Sequence, residues 1–140
     1  MGKRIMLIDD DSDDQDIFCE ALSDIDPSVI AVTADSASQA FKKLAVDGDV
    51  FDLIFLDINM PLTNGWECLK MIKQDPAYRD IPVVMYSTSS HTAERENAKA
   101  LGALGLITKP SDFEVLKQHL KVVLMYLQDG RDLEAIGKLL

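Results

Sequence analysis

Residues 51–73 read FDLIFLDINMPLTNGWECLKMIK. The apolar run Phe51–Leu56 has the length and composition of a strand, and beyond the loop glycine Gly65 the residues Trp66, Leu69 and Ile72 recur at helical spacing. The same strand-then-helix unit repeats along the chain. Strands are expected at Arg4–Ile8, Val29–Thr33, Phe51–Leu56, Pro82–Ser87 and Leu104–Thr108, with the middle three buried on both faces. One-faced helices follow each strand, carried by Phe18, Ala21 and Leu22, by Ala37, Ala40 and Leu44, by Trp66, Leu69 and Ile72, by Ala93, Ala100 and Leu101, and by Phe113, Leu116, Leu120 and Val123. Ser36-x-x-Gln39 and Ser111-x-x-Glu114 have the spacing of capping boxes, which satisfy free N–H groups at helix starts. Strands joined through single helices need right-handed crossovers, so the fold class is α/β, a five-stranded, mostly parallel sheet with helices on both faces. One domain is expected over residues 1–128. The segment Asp129–Leu140 repeats Leu133, Ile136, Leu139 and Leu140 at helical spacing, a short extension that either folds back over the sheet or is offered to a partner.

The 140 residues carry 14 Lys+Arg against 24 Asp+Glu, a formal net charge of −10. That balance repels phosphate backbones and anionic lipid, and it excludes direct nucleic-acid or membrane binding through a broad basic face. The chain length leaves no room for a second folded unit such as a separate output domain. Cys19 and Cys68 fall in helical stretches without metal-ligand spacing and read as reduced core thiols. The first residues, MGKRIMLIDDD, hold too few apolar positions for a signal peptide or a span, which implies a cytoplasmic protein.

In open α/β sheets, ligands bind beyond the carboxyl ends of the strands. Here those ends are polar: Asp9-Asp10-Asp11 after the first strand, Asp57-Ile58-Asn59 at the third, Ser87 to Ser90 at the fourth, and Lys109-Pro110 at the fifth. With strand order 2-1-3-4-5, Asp9 and Asp10 stand beside Asp57, with Ser87 and Lys109 across from them. Three converging carboxylates raise one another's pKa unless a cation neutralises them, and a hard divalent ion such as Mg²⁺ takes oxygen ligands of this kind. Asp57 can then act as a nucleophile that forms an aspartyl phosphate, while the Ser87 hydroxyl and Lys109 ammonium receive phosphoryl oxygens. Asp13, Asp14 and Asp16 are expected to serve only as first-turn charges of the helix that follows. His91 and His119 lack ligand spacing and are expected at the surface. A calcium-binding EF-hand is excluded because Asp14 occupies its turn-glycine position. A phosphatase of the haloacid-dehalogenase type would place a second aspartate at position 59, where this chain has Asn59.

With these residues assembled, the chain resembles the receiver domain of two-component response regulators over about residues 4–128. The motifs carrying the resemblance are IDDD after the first strand, LDINMPLTNGWE after the third, VVMYSTS at the fourth and ITKP at the fifth. The resemblance implies a flavodoxin-like, doubly wound sheet of order 2-1-3-4-5. It implies that Asp9, Asp10 and Asp57, with the backbone carbonyl of Asn59, hold Mg²⁺. It further implies that Asp57 is the phosphoacceptor, Ser87 the switch hydroxyl and Lys109 the site lysine, with a cis peptide before Pro110. Asn59 and Ser89 would flank the path of a hydrolytic water. The implied donor is a sensor histidine kinase or phosphotransfer protein, the implied output a separate downstream protein, and the expected contact surface the fourth helix, fifth strand and fifth helix, where a homodimer would also form. DDDSDDQDIFCEAL, DPAYRDIPVV and STSS resemble the stand-alone receivers paired with phytochrome-type kinases. Many family members carry an aromatic residue three positions before the lysine, where this chain has Leu106. The site would catalyse its own phosphorylation and slow dephosphorylation without being a turnover enzyme. The alternatives are a Mg²⁺-dependent phosphohydrolase using the same carboxylates and an unphosphorylated adaptor of the same fold.

Overall fold

The computed structural model describes residues 2–46, 48, 50–88, 91–129 and 139–140. Five strands, β1 (Arg4–Ile8), β2 (Ile30–Ala34), β3 (Leu53–Asp57), β4 (Val83–Ser87) and β5 (Gly105–Thr108), alternate with five helices. These are α1 (Ser12–Ile25), α2 (Ala37–Leu44), α3 (Gly65–Gln74), α4 (Thr92–Ala100) and α5 (Phe113–Asp129). The strands form one parallel sheet in the order β2-β1-β3-β4-β5.

Alternation along each strand divides the core into two layers. Met6, Ile8, Ile54, Leu56, Met85 and Leu106 face α2, α3 and α4. Ile5, Leu7, Phe55, Val84 and Ile107 face α1 and α5, whose Phe18, Leu22, Leu116 and Leu120 close that side. The sequence order of the strands misled one expectation about burial. The strands buried on both faces are β1, β3 and β4, the spatial middle of the sheet, whereas β2 is an edge strand whose residues from Ile30 to Thr33 keep part of their surface in solvent.

The caps explain where the helices begin. Asp11 accepts from the amides of Asp13 and Asp14 at the start of α1, and Asn64 accepts from the amide of Glu67 at the start of α3. Ser36 accepts from the Gln39 amide as the capping-box spacing implies, and the Gln39 side chain reaches back to the Asp35 amide. The second expected box does not form. Asp112 accepts from the amides of Glu114 and Val115, so it caps α5 in place of Ser111. The short aspartate side chain sits next to the first helical residue and reaches both orphan donors.

Of the expected extension, residues 130–138 lie outside the described residues, while Leu139 and Leu140 pack beside the apolar layer on the α1 and α5 side of the sheet. Among the described residues, no helix is long and apolar enough to cross a membrane.

Candidate functional site

The crossovers of a parallel sheet bring every strand's carboxyl end to one rim, and the five-strand order puts β1 next to β3 at its centre. Asp57 is the last residue of β3 and is 5% exposed; Asp9, just past β1, is fully buried, and Asp10 beside it is exposed. A carboxylate oxygen from each of Asp9, Asp10 and Asp57 lies within 4.8 Å of the others. Asp9 is held in place by the Asp11 amide, which donates to its Oδ1 at 2.9 Å. The Asn59 amide donates to Asp57 Oδ1 at 3.3 Å.

Lys109 enters from the end of β5. Its Nζ donates to Asp9 Oδ2 at 2.9 Å and to Asp14 Oδ2 at 2.8 Å, and it stands 3.7 Å from Asp57 Oδ1. Burial works against the charged ammonium, but the bonds from Asp14 and Asp9 and the nearby Asp57 outweigh it and raise the Lys109 pKa. Asp14 is therefore more than a first-turn charge on α1: it is the lysine's second carboxylate partner. No spacing rule revealed this, because the contact spans 95 residues of sequence. Ser87, the last residue of β4, is fully buried and lies in register with Thr108. The main-chain amide of Lys109 donates to the Ser87 carbonyl at 2.6 Å, tying the ends of β4 and β5 together.

The Asp57 carboxyl is pushed up to about 7, first by burial and then by Asp9 and Asp10, against the opposing pull of Lys109 and the Asn59 amide. The donor set fits a hard cation: three carboxylates converge, two of them buried, burial makes Asp57 resist ionisation, and one lysine cannot neutralise all of them.

Gly65 fixes this geometry from behind. A Cβ at Gly65 would stand 2.2 Å from the Asp57 carbonyl oxygen, and the Gly65 amide donates to the Ile58 carbonyl at 2.8 Å. The loop between them turns tightly enough to put the fully exposed Leu62 at φ 66°. Neither role was visible in the sequence beyond Gly65 as loop punctuation.

Leu106 is fully buried on the α4 side of the sheet. Tyr86 faces the other layer, its ring edge-on to Phe18 and Phe55 and centred 5.3 Å from Lys109 Nζ. The peptide before Pro110 is trans, and no cis peptide occurs among the described residues. Ser89 and Ser90 lie outside the described residues. His91 is exposed as expected, whereas His119 is half-buried with its Nδ1 enclosed.

Comparison with known proteins agrees with the fold. The sequence pattern of the response regulator receiver domain matches residues 5–121. The chain is 32% identical over 121 residues to the chemotaxis protein CheY1 of Helicobacter pylori, covering 86% of this chain and 96% of that protein. Among solved structures it is similar to the phosphorylated cyanobacterial phytochrome response regulator RcpA, at 30% identity and a TM-score of 0.82, covering 93% of this chain and 96% of that one. It is also similar to the Mn²⁺-bound response regulator Rcp1, at 26% identity and a TM-score of 0.76 over 91% of this chain and 96% of that one. The match to the family pattern over residues 5–121, the sheet order β2-β1-β3-β4-β5 and the acidic rim lead to one conclusion: this chain belongs to the response regulator receiver domain family.

Proposed function

We propose that the chain is a phosphorylation-controlled signalling switch of a two-component pathway, with Asp57 as phosphoacceptor. The observation carrying this reading is the position of Asp57, a buried carboxylate within reach of Asp9 and Asp10 on one side and Lys109 on the other. A sensor histidine kinase or phosphotransfer protein presents a phosphohistidine to the rim. An Asp57 carboxylate oxygen attacks phosphorus, the P–N bond breaks, and the imidazole leaves with the bond's electron pair, giving an acyl phosphate. Mg²⁺, held by Asp9, Asp10, Asp57 and the Asn59 carbonyl, would supply neutralising charge for the phosphoryl oxygens.

The chain's own residues do the rest. Lys109 holds a fixed ammonium beside Asp57, and Ser87 lies at the end of the neighbouring strand, placed to donate to a phosphoryl oxygen. Phosphorylation adds about −1.5 to −2 charge at this point, drawing Ser87 and Lys109 inward and biasing the surface of α4, β5 and α5 towards a separate downstream protein. This is self-catalysed transfer followed by slow hydrolysis, without turnover of a substrate. The two free thiols suit a reducing cytoplasm, where such kinases present their phosphohistidines.

Intact-mass measurement after incubation with acetyl phosphate and Mg²⁺ tests the reading. The wild type should gain one phosphoryl group and Asp57→Asn none. An unmodified wild type would favour the adaptor alternative, and continuous release of inorganic phosphate from a small phosphoester would favour the phosphohydrolase.

A further inference from the structure

The edge strand β5 has a strand partner on one side only, an edge that natural sheets usually shield, and here part of the shield comes from the end of the chain's own described residues. Arg95 of α4 donates through Nη1 to the Leu106 carbonyl at 2.7 Å and to the Leu140 carbonyl at 2.9 Å. Its Nη2 donates to Thr108 Oγ1 at 3.3 Å. The Leu140 side chain lies over Gly105, where an added Cβ would come 2.5 Å from Leu140 Cβ. The three atoms nearest to that added carbon all belong to Leu140, so the missing side chain at position 105 makes room for this residue above all. Leu139 and Leu140 remain only half-buried and lie beside Ile107, Leu120 and the rest of that layer. A half-buried pair at the surface of a layer is the kind of contact that local opening releases first.

We propose that Gly105 and Arg95 form a docking seat on the β5 edge, that Leu140 occupies it in the unphosphorylated protein, and that phosphorylation of Asp57 releases Leu140 to expose the seat to the downstream partner. The proposal rests on Asp57 being the phosphoacceptor, and it names how that event reaches the surface. The connection is continuous: Ser87 pairs in register with Thr108, the Ser87 carbonyl receives the Lys109 amide, and the Thr108 hydroxyl receives the same guanidinium that holds Leu140. Drawing Ser87 and Lys109 towards a phosphoryl group shifts the end of β5 under Arg95, and the arginine cannot keep all three acceptors in line. The seat would accept from a partner what it accepts from Leu140, a leucine-sized apolar side chain with a main-chain carbonyl next to it.

The test is NMR of the full chain, with intact mass read on the same sample. In the resting wild type, nuclear Overhauser contacts should join the Leu140 methyl groups to the Gly105 α-protons. Acetyl phosphate and Mg²⁺ should abolish them in a sample whose mass shows phosphorylation. Gly105→Ala should lack the corresponding contact without any phosphodonor and still gain the phosphoryl mass. Should that variant fail to fold, Leu140→Ser gives the same comparison through the amide shifts of Leu106 and Thr108, which should move towards their phosphorylated wild-type positions. Contacts that persist in a fully phosphorylated sample, or that are absent from the resting wild type, overturn the proposal while leaving the phosphoacceptor intact. A wild-type sample that gains no mass overturns the phosphoacceptor reading and this proposal with it.

Discussion

Gly65 lies so close to Asp57 that a Cβ added to the glycine would stand 2.2 Å from the aspartate's carbonyl oxygen and 2.6 Å from the Ile58 Cα. Both obstacles are main chain, which cannot swing aside as a flexible side chain can. The first turn of α3 is therefore braced directly against the backbone that aims the Asp57 carboxylate. Gly65→Ala should destabilise the fold by about 1–3 kcal/mol, the usual range for overpacking. It should also weaken Mg²⁺ binding, because relief of the clash displaces Asp57. Urea denaturation and a Mg²⁺ titration check both; unchanged metal affinity would separate the brace from the site.

The metal-free site should show its charge crowding in the pH dependence of stability. The Asp57 carboxyl rises from 3.8 to about 7 on folding, through burial and the facing Asp9 and Asp10, with Lys109 and the Asn59 amide opposing. A raised folded pKa gives stability that is complete below the unfolded value and is lost as pH climbs through the folded one. In EDTA, urea midpoints should fall between about pH 4 and about pH 7 on this account. Mg²⁺ requires the ionised carboxylate, so its stabilising increment should grow over the same window. Asp57→Asn should flatten both trends, and an equal Mg²⁺ increment at about pH 5 and about pH 8 would contradict the assignment.

Lys109 and Asp14 should respond very differently to mutation despite their 2.8 Å contact. Lys109→Met keeps the apolar stem but leaves the buried Asp9 and Asp57 facing each other without a cation. Breaking one side of a buried pair costs about 3–5 kcal/mol, and the partial exposure of the ammonium brings the expected loss to about 2 kcal/mol. Mg²⁺ should restore part of it. Asp14→Asn removes only a solvent-facing partner and should cost about 0.5 kcal/mol. Paired urea curves with and without Mg²⁺ measure these differences.

The parts of this molecule legible in its sequence are those set by local pattern. Alternating strand and helix periodicities produce the sheet, and because crossovers carry all strand ends to one rim, the pattern alone brings Asp9, Asp10, Asp57, Ser87 and Lys109 together. What escaped depends on distances across the fold. Asp14 reaches Lys109 only because the lysine extends from the end of β5 to the first turn of α1, and Gly65 reads as an ordinary loop glycine until α3 is packed against β3. The edge position of β2 follows from the strand order and not from its composition, which is more β-branched than that of the central strand β4. Asp112 and Ser111 both suit a cap, and one residue of helical phase decides between them.

Ser87→Ala should separate chemistry from response. Ser87 is fully buried at the end of β4, one position beyond Tyr86, which pairs in register with Asp57. Its own carbonyl anchors the Lys109 amide, and that backbone link survives loss of the hydroxyl. The attack on phosphorus needs Asp57, the divalent ion and Lys109, whereas a hydroxyl donated to a phosphoryl oxygen stabilises only the conformation reached after transfer. The variant should therefore gain the phosphoryl mass from acetyl phosphate at a rate within a few-fold of the wild type. Its amide shifts along β5 and at Arg95 should stay near those of the resting protein, because the strand end is no longer drawn in. A phosphorylated Ser87→Ala protein whose β5 shifts matched the phosphorylated wild type would move the switch to another group.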